Sequence, residues 1–146
     1  MMRPLVVDAN ILISAVLGTK VFELMKQYRD KVRFVTPEVC FGDARKYLPP
    51  LLMEKARPTT TEAINLLLAW VEPIETTILL PFENSARQLL HRRDPDDWPV
   101  LAAAWALGAP IWTQDQDFFG LGVATWTSAN VVHYLKGTDF SQMLPD

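Results

Sequence analysis

At 146 residues, 49% of them apolar and 21% charged, the chain has room for one domain with a sizeable core and is too apolar for disorder. Its net charge of −3 argues against a protein that holds nucleic acid on a broad basic surface. It leaves room for a polyanionic ligand at a local site, because divalent ions would reverse the charge of an acidic pocket.

A single cysteine, Cys40, excludes an internal disulfide and suits a reducing compartment. His91 and His133 lie too far apart for zinc-ligand spacing and read as structural. Arg3-Pro4 leads at once into a strand-like run, unlike a signal peptide, and no apolar stretch nears the roughly 18 residues of a membrane helix. A cytoplasmic protein is expected.

Leu5 to Val7 reads as a short buried strand, and Asp8-Ala9-Asn10 turns the chain into an apolar helix from Ile11 to Leu17, stopped by Gly18. Val21, Phe22, Leu24, Met25 and Tyr28 predict a second helix, and the alternation of Val32 to Thr36 a second strand. Pro37 suits the first turn of a helix to about Leu48, with Pro49-Pro50 ending it and a short helix over Leu51 to Arg57 after it. Thr59 to Glu62 has capping-box spacing before an apolar helix ending at Trp70 or Val71, broken by Glu72-Pro73. Ile74 to Leu80 fits either a strand or an extended connection.

Glu83 to Arg92 reads as helix, Asp94 to Asp97 as a polar turn, and Trp98 to Leu107 as a helix closed by Gly108. Pro110 to Thr113 and Val123 to Trp126 read as strands around a loop from Asp115 to Gly120, with a last helix from about Ser128 to Lys136. Strands alternating with helices imply an α/β domain in three layers, its mostly parallel sheet flanked by helices. Residues 1–136 form that domain, and 137–146 a short tail.

Asp8, Asp43, Asp97 and Asp115 recur beside short hydrophobic runs. An open α/β sheet binds ligands beyond the carboxyl ends of its strands. Carboxylates converging there repel one another, and a divalent cation relieves the repulsion. Each acid alone has an ordinary reading. Asp8 could cap the first helix, Asp96 or Asp97 the helix at Trp98; Asp115 and Asp117 could be loop acids and Asp43 a surface residue. Those readings give no reason for acids to recur at successive element ends.

Three segments resemble motifs of PIN-domain nucleases: Val6-Val7-Asp8-Ala9-Asn10, Asp94-Pro95-Asp96-Asp97-Trp98 through Gly108, and Pro110 to Phe118 with Asp115 and Asp117. The best match is to small stand-alone bacterial members of the toxin type. The resemblance implies an acidic pocket holding Mg²⁺ or Mn²⁺ and an endoribonuclease leaving a 5′-phosphate and a 3′-hydroxyl. By position, Asp8, Asp43, Asp97 and Asp115 match the catalytic, metal-binding acids, and Asn10, Thr113 and Asp117 the auxiliary positions. The family usually carries Glu where Asp43 stands, one methylene longer, with Glu38 an alternative one helical turn too early. The resemblance also implies homodimerisation and a small antitoxin whose basic tail enters the pocket. The apolar helix from Ala63 to Val71 and the first two helices are candidate interfaces.

Two rival functions remain. One is a catalytically impaired PIN-like module that binds RNA or protein, with Asp43 the mark of a decayed site. The other is a receiver-like phospho-acceptor, which places acids at strand ends but pairs them after the first strand and adds a Lys after the last. Here Ala9-Asn10 follows Asp8, and Thr127-Ser128 follows Trp126. Arg92-Arg93 and the cluster Lys26, Arg29, Lys31 and Arg33 read as solvated faces before phosphate contacts. The tryptophans read as core, with Trp98 the one placed to meet a base.

Overall fold

The computed structural model describes residues 2–54 and 60–137. Its centre is a five-stranded, all-parallel sheet in the order β3-β2-β1-β4-β5. The strands are β1 (Arg3–Val7), β2 (Val32–Pro37), β3 (Val71–Ile74), β4 (Ile111–Trp112) and β5 (Thr125–Trp126). Leu5, Val6 and Val7 are fully buried, as expected of a strand covered on both faces.

The chain moves outward from β1 through β2 to β3, then returns to lay β4 and β5 on the other side of β1. Right-handed crossovers in opposite directions put helices on opposite faces. The first group contains α1 (Ala9–Leu17), α2 (Lys20–Tyr28), α3 (Glu38–Glu54) and α4 (Thr60–Trp70), with α1 packed on α2 and α3. The second contains α5 (Thr76–Leu79), α6 (Glu83–Leu89) and α7 (Trp98–Leu107), and α7 packs on β1 and β2. Its residues Trp98 to Ala104 are all buried, which explains an apolar character too uniform for a single stripe. A short α8 (Val132–Leu135) follows β5.

Several boundaries differ from the sequence reading. α3 runs through Pro49 and Pro50 instead of stopping before them, and includes 51–54. The prolines remove N–H donors whose helical acceptors would be the carbonyls of Arg45 and Lys46, both solvent-exposed residues where water can substitute. Thr59 and the end of the helix expected over Leu51 to Arg57 lie outside the described residues. Glu72-Pro73 does not merely break a helix: it lies within β3, an edge strand where proline is tolerated. The ambiguous stretch after it resolves into α5 and a 3-10 turn at Leu80–Phe82. Gly18 ends α1 in extended conformation, whereas Gly108 closes α7 in the left-handed region at φ 58°. No helix among the described residues is long and apolar enough to cross a membrane.

Candidate metal centre

β1 and β4 are neighbours from which the chain departs to opposite sides of the sheet, so their carboxyl ends border the crevice where open α/β sheets bind ligands. Asp8 and Thr113 occupy those two ends. The Asp8 N–H donates to the Trp112 carbonyl at 3.1 Å, carrying the ladder one residue past the strand.

Asp8 is 7% exposed, and both of its oxygens have partners. Oδ1 accepts from the Ala9 N–H at 2.7 Å, so it does cap α1. Oδ2 accepts from Thr113 Oγ1 at 2.7 Å and from Asn10 Nδ2 at 3.4 Å. Asn10 also donates to Thr113 Oγ1 at 3.4 Å, while its Oδ1 accepts from the Gln114 N–H at 3.3 Å. Burial raises the Asp8 pKa foremost, the Thr113 and Ala9 hydrogen bonds oppose that rise, and the charges of Asp115 and Asp43 add to it.

Thr113 hands the network onward. Its fully buried Oγ1 accepts from the Asp115 N–H at 2.9 Å, and Asp115 Oδ1 accepts from the Asp117 N–H at 2.9 Å. These bonds shape the 3-10 turn Gln116–Phe118 and fold Asp117 back toward Asp115.

Asp97 arrives from the other direction, at the end of the 3-10 turn Pro95–Asp97. Asp94, not Asp97, spends its side chain on capping, accepting from the Asp96 N–H at 3.1 Å. Asp96 faces Arg87 at 3.3 Å. Asp97 precedes α7 without a side-chain capping bond, so the ordinary cap reading fails for it. Instead, single oxygens of Asp97, Asp115 and Asp117 all lie within 4.8 Å of one another.

The Asp97 carboxyl is pushed up to about 8, chiefly by burial, then by the charges of Asp8, Asp94 and Asp115 and a hydrogen bond with Asp115. The donor set is entirely carboxylate, with no imidazole or thiolate in it, which fits a hard divalent ion such as Mg²⁺ or Mn²⁺.

Asp8 and Asp43 stand outside this trio, and Asp117 stands inside it although its motif position is auxiliary. Asp43 is exposed on α3, and its charge still acts on Asp8. Glu38 is occupied elsewhere, accepting from the Thr76 N–H at 3.1 Å.

Two neighbours of Asp8 escaped the sequence reading. Buried Thr36 donates to the Val7 carbonyl at 2.6 Å and ties β2 to the end of β1. Cys40 is buried one turn further on, its thiol pushed up to about 12 by burial and then by the charge of Asp8. Both follow from Thr36 lying one residue before the end of β2, which pairs with β1 in a register the sequence alone does not supply. Trp98 is buried, with the Arg87 guanidinium over its ring at 5.7 Å, and presents no open platform to a base.

A family model described as PIN domain matches residues 6–136. Among solved structures, a chain of the crystal structure of VapBC2 from Rickettsia felis bound to a DNA fragment from their promoter is similar in fold, with a TM-score of 0.68. That likeness covers 85% of this chain and 98% of that one at 11% sequence identity. No curated protein matches the chain in sequence.

Proposed function

The chain belongs to the PIN domain family, and from that premise we propose that it is a divalent-metal-dependent endoribonuclease, the toxin of a toxin–antitoxin pair. The observation that carries the reading is the convergence of the Asp97, Asp115 and Asp117 carboxylates, with Asp8 close enough for its charge to act on Asp97. Asp8, Asp97 and Asp115 are the principal acids, Asp117 joins them, and Asp43 acts from the rim. A bound Mg²⁺ or Mn²⁺ would supply an activated water and charge relief on the phosphate. Thr113 and Asn10 keep the Asp8 carboxyl oriented, and Asp97, Asp115 and Asp117 would hold the cation through their carboxylate oxygens.

In this reading residues 1–136 are the nuclease domain, 137–146 a tail, and the protein is cytoplasmic. The fold shared with VapBC2 supports a small antitoxin partner. Leu66 and Leu68 on α4 are each 42% exposed, which supports that helix as a surface for the partner or a second copy.

The test is incubation of total cellular RNA with the protein and Mn²⁺, beside Asp97→Asn, followed by mapping of new 5′-phosphate ends. Discrete cuts lost in the variant are the expected result. Identical profiles from the two folded proteins would sink the catalytic reading. One observation favours a second reading, an impaired module that binds RNA or protein: Asp43 is exposed and stands apart from the acidic trio. Retained RNA binding without cleavage would identify it.

A further inference from the structure

Arg93 lies four residues before Asp97, yet its side chain crosses to the loop that carries Asp117. Its Nη1 donates to two backbone carbonyls, those of Asp117 at 2.5 Å and Phe119 at 2.6 Å. One carbonyl belongs to the middle residue of the 3-10 turn Gln116–Phe118 and the other to the residue that follows it. The root of Arg93 is itself fixed, because its N–H donates to the Leu90 carbonyl at 2.8 Å. One guanidinium therefore joins the two segments that supply the acidic trio.

We propose that Arg93 is a positioning residue that clamps the Asp117 turn against the Asp97 segment and thereby sets the cation affinity of the trio. This rests on the metal-dependent reading above. Acids gathered this closely disfavour one another's charged forms, so a restraint from outside the trio helps the turn keep one shape before a cation binds. An arginine bound to the carboxylates would compete with the cation. Arg93 holds carbonyl oxygens instead, and occupies none of the trio's carboxylate oxygens. Two charge-assisted bonds from one planar group fix the turn in position and orientation.

The test uses Mn²⁺ alone, titrated calorimetrically into the full chain and into Arg93→Ala and Arg93→Lys, with thermal melts to establish folding. Groups that orient metal ligands typically change affinity about 10- to 100-fold. We expect a loss of that order in Arg93→Ala, partial recovery in Arg93→Lys, and faster amide exchange across 117–120 in metal-free Arg93→Ala. Equal Mn²⁺ affinity in all three folded proteins would overturn the inference. A raised KM for RNA beside that equality would reassign Arg93 as a phosphate contact. Should Arg93→Ala not fold, Arg93→Lys decides: native affinity and native exchange in it would count against the two-carbonyl geometry. No Mn²⁺ binding by the native protein would instead overturn the metal reading itself.

Discussion

Thr113 Oγ1 donates to Asp8 Oδ2 across 2.7 Å, joining the carboxyl ends of two adjacent parallel strands by one buried hydrogen bond. The same oxygen accepts from the Asp115 N–H. One hydroxyl thus fixes the orientation of the first acid and the start of the turn that carries two others. A serine or threonine can fill this place; a residue with only a donor or only an acceptor cannot.

Thr113→Val keeps the shape and removes these two bonds together with the longer one from Asn10. It should destabilise the fold by about 1–3 kcal/mol, the usual cost of stranding a buried polar group. The Asp8 carboxylate also loses the bond that most opposes the effect of its burial, so its pKa should rise further. Chemical denaturation measures the first effect and carbon-detected NMR titration of Asp8 the second. Thr113→Ser should restore the titration with less of the stability, since it keeps the hydroxyl and loses a packed methyl. A native-like Asp8 titration in Thr113→Val would remove the hydroxyl from the account.

Stability of the metal-free protein should fall as pH rises. Asp97 is raised from an ordinary 3.8 to about 8, so between those values the folded state holds a proton that the unfolded chain has released. Each step of pH through that window favours unfolding, and above about 8 the contribution is fully lost. Asp97→Asn should flatten this slope. Mn²⁺ should reverse it, because the ion displaces the proton and binds the deprotonated acid more tightly as pH rises. Melting temperatures across the window, with and without Mn²⁺, would expose the error if the Asp97→Asn slope matched the native one.

Four of the five strands and the order of the main helices were legible because buried parallel strands and helical stripes have different periods, whereas β3 was not, since Glu72-Pro73 reads as a helix break. The acids at strand ends were legible as types and positions. What the sequence hid was allegiance. Asp94, Asp96 and Asp97 are chemically alike, and only the backbone of the 3-10 turn separates the one that caps, the one that faces Arg87 and the one that joins the trio. Arg93 read as a solvated charge because its acceptors are carbonyls, which carry no residue-type signature. Pro49 misled for a related reason: the propensity penalty is local, while exposure of the freed carbonyls is set by the fold.

Cys40 should behave as an inert thiol in the native protein. It is buried, with a pKa pushed up to about 12, so at neutral pH almost none of it is thiolate. Its modification by a disulfide reagent should occur only through opening of the fold, at a rate that follows global stability. Mn²⁺ should slow labelling in proportion to the stability it adds. Rapid stoichiometric labelling under native conditions would mean that the layer between α3 and Asp8 opens on its own.

Asp43→Glu isolates the one motif position at which this chain departs from the pattern it otherwise follows. Asp43 is exposed on α3, so an added methylene meets solvent and should change stability by less than about 0.5 kcal/mol. Its charge already acts on Asp8, so a longer side chain with the reach to approach the crevice should raise cation affinity. We expect Mn²⁺ to bind several-fold more tightly and RNA cleavage to rise with it. Asp43→Asn should move Asp8 the other way, lowering its pKa by removing a repulsive neighbour. The pair separates reach from charge. If Asp43→Glu and native protein bind Mn²⁺ equally while Asp43→Asn alters Asp8, the residue acts only through the field of the site. If neither variant changes Mn²⁺ binding or Asp8, Asp43 is an ordinary surface acid and the centre consists of Asp8 with the trio.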